Sequence, residues 1–150
     1  MKIAIGADHR GFEIKEIIKE TITLQTDQVE WIDMGAFNAE SSDYPLFAQA
    51  VCEEILQGRV ELGVLLCGTG VGMAIAANRY KKIYAALAWN REVARLSREH
   101  DFANILALPA DYMSGEYAVA CVRAWLHAEP LKDRHERRVE MIDLLGGCEK

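Results

Sequence analysis

Short apolar runs alternate with segments whose apolar residues recur at helical spacing, and this alternation constrains the fold more than any other feature of the chain. The runs are KIAIGA (2–7), VEWIDMG (29–35), ELGVLLC (61–67), IYAALA (83–88) and NILALP (104–109). Each is short and largely apolar, the pattern of a strand covered on both faces. The segments between them read as helices. In 11–24 the residues Phe12, Ile14, Ile17, Ile18 and Ile22 keep helical spacing; in 44–57 Phe47, Ala48, Val51, Cys52, Ile55 and Leu56 do so. Further helices are expected over 71–79, over 90–100 with Val93, Ala94 and Leu96 inward, over 115–127 with Ala118, Cys121, Val122 and Trp125 on one face, and over 134–145. Asp43 is a candidate N-cap with Pro45 in the first turn, Gly58 suits that helix's end, and Ser114 suits the cap of the fifth helix. Gly146 and Gly147 follow the last helix.

Alternating strands and helices imply right-handed crossovers and a parallel sheet. The expectation is therefore an α/β protein, a three-layer α/β/α Rossmann-like fold with a five-stranded parallel sheet, formed as one domain over 1–150. Ligands in such sheets bind beyond the carboxyl ends of the strands. The chain has 150 residues and a formal net charge of −6. An acidic balance argues against nucleic acid or an anionic membrane as partner, since both reward a basic surface. No apolar run reaches membrane-spanning length, and the N-terminus lacks a signal-peptide layout. Cys52, Cys67, Cys121 and Cys148 show neither a CxxC pair nor zinc spacing, so free thiols in a cytoplasmic protein are expected.

One cysteine stands apart. Cys67 ends the third strand and is followed by Gly68, Thr69, Gly70, Val71 and Gly72, which open a helix. Glycines let backbone amides approach a ligand, and amides at a helix start bind an anion or a developing oxyanion. The same amides favour a thiolate beside them. The alternative is a tight strand-to-helix turn that merely needs glycine. The run is no P-loop, because Lys-Ser/Thr is missing, and it stops one position short of a dinucleotide fingerprint.

Asp8 and His9 follow the first strand directly, so both belong to the ligand-binding edge, with Arg10 adding positive charge; a local capping pair is the simpler alternative. Tyr44 opens the second helix. His100, near the end of the fourth helix, complements its dipole. Arg134 and Arg138, spaced i and i+4, share a face and could clamp a phosphate, or be a solvated basic turn. Trp31, Trp89 and Trp125 are read as packing residues.

Together the stretches GADHRGFEIK, SDYP, LLCGTGVGMAIAANR, LSREHD and RHERRVEMI resemble the sugar-phosphate isomerase family that includes ribose-5-phosphate isomerase B and the galactose-6-phosphate isomerase subunits. The resemblance runs through nearly the whole chain in order. It implies an aldose–ketose isomerase that acts on a small sugar phosphate, ribose 5-phosphate first, without metal or organic cofactor. Cys67 corresponds to the thiol that moves a proton between C1 and C2, and Gly68, Thr69, Gly70, Val71 and Gly72 to the loop that binds the enediolate oxygen. His100 corresponds to the ring-opening histidine, Asp8 to an acid near the sugar hydroxyls and Tyr44 to a pocket wall. His9, Arg134 and Arg138 correspond to phosphate-site positions. The resemblance also implies a homodimer or tetramer with shared active sites. His100 would then serve a neighbouring pocket, and the helix over 134–145 would pack on a partner subunit.

Two positions depart from the family's usual pattern. Asp101 follows the histidine where Asn is usual, and Pro109-Ala110-Asp111 replaces a stretch that usually carries Arg. Both departures are expected on the segment entering the partner's pocket, with Asp111 weakening phosphate binding and Arg137 a candidate to compensate. They leave open another sugar, such as allose 6-phosphate, galactose 6-phosphate, a tetrose phosphate or an unphosphorylated aldose. A non-catalytic sugar-phosphate-binding subunit is a further reading, which the presence of both Cys67 and His100 opposes. A redox-sensing thiol protein lacks a resolving cysteine nearby in sequence.

Overall fold

A computed structural model describes residues 1–25 and 28–145. Gly146, Gly147 and Cys148 lie outside the described residues. The strands are β1 (Lys2–Ala7), β2 (Glu30–Asp33), β3 (Leu62–Cys67), β4 (Ala85–Leu87) and β5 (Ile105–Pro109). The helices are α1 (Phe12–Gln25), α2 (Tyr44–Leu56), α3 (Val71–Ala77), α4 (Arg91–Asp101), α5 (Gly115–Leu126) and α6 (Arg134–Asp143). The sheet has five strands in the order β2-β1-β3-β5-β4, and every pair is parallel.

Alternation along the strands explains why the runs read as uniformly apolar. Ile3, Ile5, Val64, Leu66, Leu106 and Leu108 face one layer, where they pack with Ile18, Ala94, Val122 and Trp125 of α1, α4 and α5. Ala4, Leu65, Cys67, Ile105 and Ala107 face the other layer, where they meet Val51 and Cys52 of α2 and Met73 of α3. A strand covered on both sides has no polar face. Each fully buried Ile, Leu or Val contributes roughly 1.5–3 kcal/mol by leaving water.

β2 and β4 are shorter than their apolar runs suggest because both lie at the sheet's edges. Ser114 caps α5 by accepting from Tyr117 N–H at 3.2 Å. Asp43 occupies the N-cap position of α2, but its side chain makes no capping hydrogen bond. A short 3₁₀ turn, Ala110–Tyr112, leads out of β5 and was not evident from periodicity. Trp125 is buried in the core, whereas Trp89 is 62% exposed and so does not serve packing within this chain. Among the described residues, no helix is long and apolar enough to cross a membrane.

Candidate active site

The helices that leave β1 and β3 go to opposite faces of the sheet, although the two strands are neighbours. This divergence opens a crevice above their carboxyl ends. Asp8 and Cys67 stand at it, one from each strand. Asp8 N–H donates to Leu66 O at 3.1 Å, which extends the ladder and puts Asp8 directly beside Cys67 across the sheet.

Cys67 is 5% exposed, at the last position of β3. The loop after it turns on Gly70, at φ +73°, where an added Cβ would lie 2.5 Å from Leu87 Cδ1 and 3.0 Å from the Leu108 carbonyl carbon. Both the dihedral and the space therefore require glycine. Thr69 is exposed, and its Oγ1 accepts from Val71 N–H at 3.3 Å, tying the loop to the first residue of α3. The Tyr44 ring lies so close to Gly72 that a Cβ there would be 2.7 Å from Tyr44 Cζ. The other described cysteines are fillers: burial pushes the Cys52 thiol up to about 12 and the Cys121 thiol up to about 11.

Asp8 is 5% exposed, and its Oδ1 accepts from Arg10 N–H at 2.9 Å and Gly11 N–H at 3.2 Å. These bonds hold the carboxylate at the turn into α1. Oδ2 makes no hydrogen bond among the described residues. His9 is clasped by Ser42: His9 N–H donates to Ser42 Oγ at 3.1 Å, and Ser42 N–H donates to His9 Nδ1 at 3.2 Å. An acceptor at Nδ1 places the ring proton on Nε2, which becomes the donor left for a ligand.

Arg10 forms an ion pair with Asp111 directly over Gly68, where an added Cβ would meet Asp111 Oδ2 at 2.7 Å and Arg10 Nε at 2.8 Å. Asp111 N–H donates to Gly68 O at 3.0 Å, so Asp111 sits on the loop of its own chain's Cys67. The expectation that this position enters a partner's pocket is corrected on that point. The 3₁₀ turn after β5 folds Asp111 back across the neighbouring strand's end. Hydrogen bonding to Asp111 holds the Arg10 guanidinium even further above neutrality than usual.

Beneath this edge lies a buried cation. Lys15, on α1 and fully buried, donates to Asp33 Oδ1 at 2.7 Å, to Asp33 Oδ2 at 2.9 Å and to Ala36 O at 2.6 Å. The segment it grips bonds to β1 through Ala7 N–H to Gly35 O at 2.7 Å and Ala36 N–H to Ala7 O at 2.6 Å. Lys15 thus braces the strand end that carries Asp8. Although Asp33 is partly desolvated, the Lys15 and Lys19 ammonium groups and Gly35 N–H hold its carboxyl below the usual carboxylate range.

The remaining expected site residues lie elsewhere. α4 starts beyond the carboxyl end of β4 and returns to the amino end of β5, so His100 and Asp101 belong to the opposite edge of the sheet. There the His100 ring stacks on the His135 ring, with centroids 4.2 Å apart and planes within 10°. Arg134 Nε donates to His135 Nε2 at 3.5 Å. Burial, and then the positive neighbours His100, Arg134 and Arg138, hold the His135 ring below the usual histidine range, with Asp101 acting the other way. Arg134, Arg137 and Arg138 are exposed. A groove beside this cluster is lined by Lys82 and Tyr84, which precede β4 and both bond to Asp143 of α6, and by Asp101.

One chain therefore brings together Cys67, Gly68, Thr69, Gly70, Val71, Gly72, Asp8, His9 and Tyr44 at the carboxyl edge. It gathers His100, Asp101, Arg134 and Arg138 at the amino edge. The six residues of β3 separate the two sets by roughly 15–20 Å at about 3.3 Å per residue. Sequence reasoning missed Ser42, the pairing of Arg10 with Asp111, and His135. Arg10, Ser42 and His135 each lie inside one of the stretches that carry the resemblance, GADHRGFEIK, SDYP and RHERRVEMI; what carried no local signal was the partner each of them meets. Among the described residues no cluster of three or more His, Cys, Asp or Glu could hold a metal ion.

Comparison with known proteins places the chain in one group of relatives. A family model described as "Ribose/Galactose Isomerase" matches residues 3–142. Ribose-5-phosphate isomerase B of Escherichia coli is 42% identical over 142 residues, spanning 94% of this chain and 93% of its own. The crystal structure of a ribose 5-phosphate isomerase from Thermotoga maritima superposes with a TM-score of 0.92 at 44% identity, covering 96% of this chain and 98% of that one. A ribose-5-phosphate isomerase B from Mycoplasma genitalium, solved with bound ribulose-5-phosphate, gives a TM-score of 0.88 at 36% identity, covering 95% and 94% of the two chains.

Proposed function

The chain belongs to the ribose/galactose isomerase family, and from that premise we propose that it interconverts ribose 5-phosphate and ribulose 5-phosphate with Cys67 as the base. The observation that carries this reading is the thiol at the end of β3, seated at the crevice between β1 and β3, beside Asp8 and at the head of a glycine loop. Proton transfer α to a carbonyl needs a base and a place for the oxyanion, and these are the groups such a loop supplies.

The sugar first opens. His100 moves a proton from the anomeric hydroxyl to the ring oxygen, which breaks the ring C–O bond and frees the aldehyde. The Cys67 thiolate then takes the proton on C2, and the electron pair passes into the C1–C2 bond while O1 becomes an oxyanion. Amides of the loop 68–72 and the Thr69 hydroxyl hold that charge. The thiol returns its proton to C1, the O2 hydroxyl proton passes to O1, and the ketose results. No electrons leave the substrate. Asp8 Oδ2 accepts from sugar hydroxyls and Tyr44 forms a wall. His9 Nε2, Arg134 and Arg138 hold the phosphate.

Such a cycle needs both edges of the fold, which one chain keeps apart. The active site therefore combines Cys67, Asp8, His9 and Tyr44 of one copy with His100, Asp101, Arg134 and Arg138 of another. α6 packs on that second copy. Val71 and Ile75 on α3, with Trp89 and Tyr112 at the same edge, are exposed apolar side chains that a second copy would cover.

Mixing tests the reading directly. Cys67→Ala and His100→Ala proteins are each expected to be nearly inactive in a coupled assay for ribulose 5-phosphate. Unfolding them together and refolding them should restore about a quarter of wild-type activity, because half of the random dimers would hold one intact site of two. A mixture that stays inactive would refute the shared site. Full activity in Cys67→Ala alone would refute the base.

A further inference from the structure

Arg10 and Asp111 form an ion pair between side chains that are 58% and 31% exposed. Exposed pairs add little stability, typically about 0–1 kcal/mol. Its position gives it another consequence. The pair covers Gly68, the first residue after Cys67, and Asp111 is fixed there by its own N–H bond to Gly68 O. Arg10 is fixed from the other side, since its N–H donates to Asp8 Oδ1. The guanidinium thus lies over the thiol loop, and its Nη2 is engaged by a resident carboxylate. A guanidinium N–H already paired to a carboxylate is not open to a second anion until that bond is given up, and the carboxylate's charge offsets the attraction of the donors that remain.

We infer that Asp111 is a specificity-determining residue: by engaging Arg10 over Gly68 it withholds a cation from the substrate. This wall of the site then takes an uncharged, hydroxyl-bearing part of a sugar rather than its anionic end. The inference rests on the reading of the Cys67 loop as the place of sugar isomerisation. It concerns which sugars enter, not how the proton moves. The pair keeps the wall neutral, and the selectivity between charged and uncharged sugars depends on both partners.

The experiment is a cycle of four proteins, wild type, Asp111→Asn, Arg10→Gln and the double variant, each titrated calorimetrically with ribose 5-phosphate and with ribose. Asp111→Asn frees the guanidinium and should strengthen ribose 5-phosphate binding about threefold to tenfold, with ribose unchanged within about twofold. Arg10→Gln leaves the carboxylate unpaired and should weaken ribose 5-phosphate binding by a similar factor, again with ribose unchanged. The double variant should return close to wild type. Equal effects on both sugars, or no effect in either single variant, would overturn the proposal and leave a structural strap. Binding needs no turnover, so a wild type that binds these sugars without isomerising them would refute the reaction while the cycle still reads the pair. A wild type that binds neither sugar would overturn both.

Discussion

The two edges of the sheet are built by different means. At the carboxyl edge, functional groups hang on strand ends and on tight loops whose backbone atoms are themselves bonded: Asp8 across to Leu66, Ala36 back to Ala7, Asp111 onto Gly68. At the amino edge, His100, His135, Arg134 and Arg138 project from two helices, α4 and α6, and meet through a ring stack and long side chains. Strand ends locate atoms to within a hydrogen bond. Helix faces gather charge over a wider area. Taking a proton from carbon demands the first kind of precision, while capture of an anion and the proton exchange between oxygens that opens the ring tolerate the second.

The largest effect should come from the precise edge. Cys67→Ala is expected to lower kcat by about 10²–10⁴-fold, the usual worth of a positioned base. Calorimetry should show ribose 5-phosphate binding nearly unchanged, because phosphate is held mainly from the other edge. If affinity falls along with kcat, the division of labour between the edges is wrong.

Next comes the brace. Lys15→Met removes one partner of a buried pair and leaves Asp33 to Lys19 and the Gly35 N–H. Chemical denaturation should register a loss of about 3 kcal/mol or somewhat more. Arg at 15 keeps the charge but not the shape, so it should rescue part of the stability. If Lys15→Met unfolds at the wild-type denaturant midpoint, the cluster does not brace β1.

Much of the fold was legible because covering a strand on both faces forces a continuous apolar run, as LGVLLC shows at β3. The wrapping of helices at 3.6-residue spacing is likewise a local signal, and Ala118, Cys121, Val122 and Trp125 are all buried as that spacing required. Cys67 was legible because a thiol beside three glycines is chemically unusual in a short run. The Ser42 clasp on His9 was not: GADHRGFEIK and SDYP each mark one partner, but 33 residues separate them and nothing local says that they meet. Lys15 failed for the opposite reason. A lysine between Ile14 and Ile17 reads as solvated, while its burial depends on Asp33 and Ala36, brought there only by the sheet. The meeting of Asp111 with Arg10 needed a 3₁₀ turn that carries no periodicity.

The looser edge should answer to smaller changes. Arg134→Ala is expected to raise KM for ribose 5-phosphate about tenfold, the loss of one charge-assisted contact, while leaving kcat within about twofold. The same variant should leave KM for unphosphorylated ribose unchanged. A parallel rise for both sugars would make Arg134 part of the scaffold.

The smallest effect concerns His135, whose ring is held below the usual histidine range by burial and by His100, Arg134 and Arg138. A lowered value means that the unfolded chain binds the proton more readily than the fold does. Stability from this source is present above the ordinary value of 6.5 and is lost as pH falls through and below it. Melting temperature should therefore drop more steeply from about pH 7.5 to about pH 5.5 in the wild type than in His135→Gln. Inorganic phosphate should flatten the wild-type slope, because an anion between Arg134 and Arg138 offsets the positive field that disfavours the imidazolium. It should not flatten the slope of Arg134→Ala to the same extent. Equal flattening in both proteins would detach the histidine stack from the anion-gathering role of the amino edge.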